Sequence, residues 1–270
     1  MNNLPLVLSV TSGKGGVGKT NLSVNLSCRL AAEGKRVVLL DADLGLANVD
    51  VLLGLTPHLN LFHLFHEGAA LSDILFDTPY GFRILPASSG VSEMLTLSTG
   101  QKLELLEAVD ELEESLDFLI VDTGAGIHDN VVYFNLAAQE RIVVLTPEPT
   151  SLTDAYALIK VLKLRHGVER FRVLINMSPD EKNAKSIFAR LHAACDHFLD
   201  GVSLGYMGFI PRDTMVRKAV VSQTPFTAAS PDCPASQAMK QIAASVQNWE
   251  APENLDGNIK FFWKKLLFRS

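Results

Sequence analysis

Residues 13–20, Gly-Lys-Gly-Gly-Val-Gly-Lys-Thr, have the types and the spacing to hold a polyphosphate. Gly13, four residues, Gly18, Lys19 and Thr20 satisfy G-x-x-x-x-G-K-[ST], with an apolar strand entering and a helical pattern leaving. Gly13, Gly15, Gly16 and Gly18 let successive backbone N–H groups, that of Val17 among them, turn toward phosphate oxygens. The helix that follows adds its positive N-terminus. Lys19 is expected to reach the outer phosphates and the Thr20 hydroxyl to hold Mg2+. Three carboxylates agree with this: Asp41 and Asp43 close the run VVLLDAD, and Asp122 closes FLIVD. A carboxylate emerging from apolar residues is costly inside a sheet, but natural at a phosphate-facing edge where a cation offsets its charge. Lys14 is surplus to this chemistry, because phosphate binding needs only the lysine before Thr20.

The elements that must position these groups can be read from the apolar pattern. Short runs recur at Leu6–Val10, Arg36–Leu40, Phe82–Leu85, Phe118–Val121, Ile142–Leu145, Arg172–Ile175 and Leu204–Ile210. Most are continuously apolar, as strands covered on both faces are. Helical patterns lie between them at Thr20–Glu33, Gln101–Ser115, Leu152–Leu164, Ala184–Leu199 and Ala235–Trp249. The alternation predicts an α/β fold: one doubly wound, mostly parallel sheet of about seven to eight strands, with its site at the strands' carboxyl ends.

Length and composition are those of a soluble globular protein with one full core: 270 residues, 47% apolar and 20% charged. A net charge of −6 argues against a general nucleic-acid binder. Cys28, Cys195 and Cys233 form no C-x-x-C pair and read as reduced thiols. The start, MNNLPLVLSV, lacks a basic region and a cleavage site, and no apolar run reaches the roughly 18 residues that span a bilayer. A cytoplasmic protein is expected.

The motifs also carry a family resemblance. GKGGVGKT with its extra Lys14, DADLGLANVD at 41–50 and DTGAGI at 122–127 resemble the deviant Walker A ATPases of the MinD/ParA group, P-loop NTPases of the SIMIBI type. GKTN, ILPASSG, TPEPTSLTDAYALIK and IPRDTMVRKAV narrow the resemblance to the flagellar number and site regulators, the FlhG/FleN-like subgroup. The resemblance implies ATP and Mg2+ as cofactors and slow ATP hydrolysis timed by dimerisation. It implies that Lys14 crosses a homodimer interface to the phosphates of the other subunit's ATP, and that Asp43 orients the attacking water. Asp41 and Asp122, with Thr20, would lie near Mg2+. Asn176 would contact adenine, and Pro211 and Asp213 would flank the base. Asn21 stands where related ATPases often have threonine, and favours the flagellar subgroup. The implied partners are a signal-recognition-type flagellar GTPase or a flagellar transcription regulator. The subgroup commonly carries an N-terminal DQA-type extension that stimulates the GTPase. Here the phosphate loop begins by residue 13, which leaves binding through the ATPase surface as the expectation. A division-site selector of the MinD kind and a ParA-type DNA-partition ATPase are the alternatives.

The sequence divides into an ATPase domain at 1–249, a polar linker at 250–258 and a distinct segment, IKFFWKKLLFRS, at 259–270. Ile259, Phe262, Trp263 and Leu266 follow helical spacing. Lys260, Lys264, Lys265 and Arg269 give the segment +4, which leaves −10 on the rest of a chain whose total is −6. Aromatics beside lysines suit an anionic membrane interface, so peripheral association with the inner face of the cytoplasmic membrane is expected. His58, His63 and His66 lie within nine residues but read as surface or packing rather than a metal site, and Glu111, Glu113 and Glu114 as a solvated helix face.

Overall fold

The computed structural model describes residues 5–88, 96–112 and 116–249. The linker and basic segment expected at 250–270 lie outside the described residues.

Eight strands form one sheet: β1 (Leu6–Ser12), β2 (Val37–Ala42), β3 (Phe76–Asp77), β4 (Arg83–Leu85), β5 (Phe118–Ala125), β6 (Glu140–Leu145), β7 (Arg170–Ser178) and β8 (Ser203–Pro211). Their order is β3-β4-β2-β5-β1-β6-β7-β8, and every pairing is parallel except β3 with β4. All seven apolar runs are strands. The eighth, β3, is two residues on an edge, too short to leave a pattern.

The helices are α1 (Lys19–Ala32), α2 (Val49–Leu53), α3 (Leu61–Glu67), α4 (Leu71–Ile74), α5 (Thr99–Asp110), α6 (Asp129–Ala137), α7 (Pro149–His166), α8 (Glu181–Phe198), α9 (Thr214–Val221), α10 (Phe226–Ala229) and α11 (Pro234–Val246). The five expected helices are α1, α5, α7, α8 and α11, with shifted ends. Helix α7 begins three residues earlier than the apolar pattern because Pro149, which has no N–H to leave unsatisfied, occupies its first turn. Helix α5 ends at Asp110, before the expected Ser115, and residues 113–115 lie outside the described residues.

Alternate strand residues serve opposite faces. Leu8, Val10, Leu39, Ile120, Ile142 and Leu174 pack under α1 and α11. Val7, Val38, Leu40, Leu119 and Val121 face α3 to α6, and Val143, Leu145, Val173 and Ile175 face α7 and α8. In α1, Leu22, Leu26 and Leu30 are buried, each contributing about 1.5–3 kcal/mol by leaving water. That burial holds the helix whose first turn meets the phosphate loop.

The register sets the site. β1 lies between β5 and β6, so the loops leaving β1 and β6 turn to opposite faces of the sheet, which opens a crevice at the carboxyl edge. Within it, Asp41 on β2 is level with Asp122 on β5, which is level with Val10 on β1. At the other end, the Arg172 guanidinium stacks on the Trp249 ring at 4.6 Å and pairs with Glu140 at 3.1 Å.

Candidate nucleotide-binding site

The loop from Gly13 to Gly18 joins β1 to α1. Gly18 caps α1 in a left-handed conformation (φ 92°) and no side chain caps the helix, so the first-turn N–H groups are left facing the loop. Two glycines are fixed by contact. A Cβ on Gly13 would stand 2.0 Å from the Asp154 carbonyl oxygen of α7, and one on Gly18 would stand 2.5 Å from Asn176 Nδ2. At Gly15 and Gly16 a Cβ would meet nothing, so the loop is braced from behind and open in front.

Lys19 is buried, and burial lowers its pKa while the charges of Asp122 and Asp43 act the other way. Asp122 is fully buried. It accepts a hydrogen bond from Ser23 Oγ at 2.9 Å and another from the Thr20 hydroxyl, and its pKa is raised to about 6, chiefly by burial. Thr20 and Asp122 thus form an oxygen pair beside the lysine, the hard donors that Mg2+ takes. When bound, the ion would neutralise phosphate charge.

Asp41 has a different occupation. Its Oδ1 accepts from the backbone N–H of Asp43 at 3.2 Å, and its Oδ2 from those of Asn48 at 3.0 Å and Val49 at 3.1 Å. Burial, then the neighbouring charge of Asp122, raises its pKa to about 8, while the three amides oppose the shift. Asp41 therefore ties down both ends of the loop that carries Asp43. The Asp43 carboxylate lies across from Gly124, where a Cβ would be 3.5 Å from Oδ1. Beside it opens a polar cavity of about 570 Å3, walled by Leu44, Gly45, His128 and Asn130.

A second cavity, about 500 Å3 and mostly apolar, begins at Gly18 and Asn21 and extends past Asn176 and Met177 to Pro211 and Phe226. It has the size and lining for a flat heterocycle. Asn176 donates from Nδ2 to the Val17 carbonyl at 2.7 Å and accepts from the Met177 N–H at 2.9 Å, so it joins the end of β7 to the phosphate loop. Met177 adopts φ 57°, a left-handed conformation rare outside glycine. Asp213 spends both oxygens on backbone, from Met215 at 2.8 Å and Ala235 at 3.2 Å, and so links α9 to α11 while its residue lines the cavity.

Lys14 lies outside its own cradle. Its Nζ is 2.6 Å from Glu148 Oε2 and 3.0 Å from Thr150 Oγ1, both at the start of α7.

The family described as the CobQ/CobB/MinD/ParA nucleotide binding domain matches residues 8–226. The chain is 51% identical to the antiactivator FleN of Pseudomonas aeruginosa, over 97% of this chain and 93% of that protein. It is 33% identical to the flagellum site-determining protein YlxH of Helicobacter pylori, over 96% of this chain and 89% of that one. Among solved structures, the septum site-determining protein MinD of Pyrococcus horikoshii with Mg-ADP superposes with a TM-score of 0.75. It is 25% identical and covers 90% of this chain and 96% of its own.

The chain is a MinD/ParA-family ATPase.

ATP and Mg2+ are the cofactors of this ATPase, and the cavities fit them: an oxygen pair beside Lys19, and an apolar pocket continuing from the loop. The structure gathers every site residue expected from the sequence at one end of the sheet. Sequence reasoning missed Ser23, although it stands one helical turn after Lys19 and so on the same face. It also missed Glu148, which meets Lys14 across 134 residues and has no local signal. Met177 and Phe226 were likewise hidden, as ordinary apolar residues.

Proposed function

We propose that this ATPase is an ATP-gated homodimeric switch that controls flagellar number or placement. The observation that carries the dimer is the position of Lys14: its ammonium is turned away from its own phosphate loop, onto a partly exposed acid. A cation there is placed for an anion arriving from outside, and two triphosphates meeting face to face supply one from each side. Exposed Leu46, Val51, Ile127 and Val221 surround the same end of the molecule, an apolar rim that a second copy would cover. Hydrolysis by Asp43 then ends the paired state. Phosphoryl transfer asks for positioning and charge neutralisation, which Lys19, Thr20 and Asp122 supply.

The flagellar output is supported by the likeness to the antiactivator FleN and to the site-determining YlxH over nearly the whole chain. An antiactivator opposes a transcription activator, so a flagellar transcription regulator is the partner class, with a flagellar GTPase as the other. Residues 259–270 would hold the dimer at an anionic membrane surface, two tails acting with avidity where one is weak. Among the described residues no helix is long and apolar enough to cross a membrane.

Expression in a Pseudomonas aeruginosa strain lacking FleN tests the output. Restored flagellar number is expected; an unchanged count there, with septum position restored in a strain lacking MinD, would replace the flagellar role by a division-site role. Co-sedimentation with phosphatidylglycerol vesicles, with and without residues 259–270, tests the tail; ATP-dependent binding that disappears with the deletion is expected.

A further inference from the structure

The residue after Thr20 has its amide orientation dictated by a buried relay that begins on another helix. Asn25, fully buried one turn further along α1, uses all of its side-chain hydrogen-bonding groups. Its Oδ1 accepts from the Thr227 backbone N–H at 2.9 Å and from Thr227 Oγ1 at 3.0 Å. Its Nδ2 donates to the Asn21 carbonyl at 2.7 Å and to Asn21 Oδ1 at 2.9 Å.

The polarity of this chain follows from chemistry. A backbone N–H can only donate, so the group of Asn25 that faces Thr227 is its oxygen. The amide of Asn25 must then face Asn21, and an amide nitrogen can only donate. The side-chain atom of Asn21 that meets it is therefore oxygen, which turns the Asn21 NH2 the other way. Asn21 stands at the junction between Gly18 and the apolar cavity, and Phe226, the neighbour of Thr227 on α10, forms the far wall of that cavity. One short helix thus supplies both a wall of the pocket and the first link of the relay.

We propose that Asn25 and Thr227 are positioning residues that fix Asn21 as a hydrogen-bond donor to the innermost phosphate of the nucleotide. A ligand threaded from the phosphate loop into the cavity places that phosphate at the junction, and its oxygens only accept. A hydroxyl at position 21 could rotate to donate unaided. An asparagine can present either its oxygen or its nitrogen, and needs something to choose. The relay makes the choice before the nucleotide arrives, so no ordering is left to binding. The proposal rests on the nucleotide reading of the site.

Mg-ADP affinity, measured by calorimetry, tests it in two ways. In a double-mutant cycle, Asn25→Ala is expected to weaken binding about tenfold in the natural background, and less than about twofold when position 21 is already Asn21→Thr. Equal losses in both backgrounds would mean that Asn25 acts only through the fold, and would overturn the proposal. Asn21→Asp keeps an acceptor for Asn25 and removes the donor. It is expected to lose binding by more than about tenfold, and affinity within about twofold of the natural chain would overturn the proposal even if Asn25→Ala failed to fold. A natural chain that bound no Mg-ADP would defeat the nucleotide reading as well, whereas binding that ignored all three substitutions defeats the relay alone.

Discussion

The Lys14 ammonium rests on the Glu148 carboxylate at 2.6 Å, within one subunit. The pair joins the phosphate loop to the first turn of α7. Both side chains are partly exposed, 37% and 62%, so the contact contributes about 0–1 kcal/mol and is easily exchanged for a stronger one. In the proposed dimer, a triphosphate from a second subunit would be such a partner.

This gives the two residues opposite phenotypes. Lys14→Ala should retain ADP binding and lose the ATP-dependent dimer. Glu148→Gln should dimerise at several-fold lower protein concentration, because Lys14 no longer leaves an ion pair to cross the seam. Light scattering on a sizing column, with ADP and with a non-hydrolysable ATP analogue, reads both. Stability should change by less than about 1 kcal/mol in either variant.

Asp43 is held by its loop rather than by its own side chain, since Asp41 anchors that loop through three amides. Asp43→Ala should therefore leave the fold and ATP binding intact, while turnover falls by about 100-fold or more. The ATP-bound dimer should persist for as long as hydrolysis would otherwise have ended it. Phosphate release measured beside dimer lifetime separates this from a loss of nucleotide.

Gly18 combines φ 92° with a Cβ position 2.5 Å from Asn176 Nδ2. Gly18→Ala should strain the loop and displace the Asn176 amide from the Val17 carbonyl, costing Mg-ADP affinity by more than about tenfold. Gly15→Ala, with open space at its Cβ, should leave the melting temperature of the nucleotide-free protein nearly unchanged. Thermal melts and calorimetry on the pair distinguish a brace from a rim.

The buried carboxylates make the nucleotide-free protein sensitive to pH. Asp122 has its folded-state pKa raised to about 6 from 3.8, so between those values the folded chain keeps a proton that the unfolded chain has released. Stability must then fall as pH rises through that window, by about 3 kcal/mol for a shift of this size. Asp41, raised to about 8, extends the decline upward. Urea titrations in EDTA at pH 4.5 to 8 should show this slope, and Asp122→Asn should remove the part below pH 6.

Much of this site is legible in the sequence, for a physical reason. The phosphate loop and the three aspartates are local signals, each a polar group at the end of an apolar run. The sheet register then does what the sequence implies and sets Asp41 beside Asp122. The roles that were not legible depend on contacts between distant segments. Asp41 also ties down the 43–49 loop that folds back onto it, and Asp213 links α9 to α11 from the wall of the apolar cavity. The small helices α2, α4 and α10 were invisible because four or five residues hold no periodicity. They are kept by what they cap and cover.

The stack of Arg172 on Trp249 has a consequence for signalling. Helix α11 starts beside Asp213, at the nucleotide pole, and carries the chain roughly 20 Å back to the opposite end of the sheet. The stack fastens it there. Trp249, the last described residue, therefore lies at the pole remote from the phosphates. If residues 259–270 bind a membrane as proposed, they would answer ATP through the number of copies that assemble rather than through a change carried along α11.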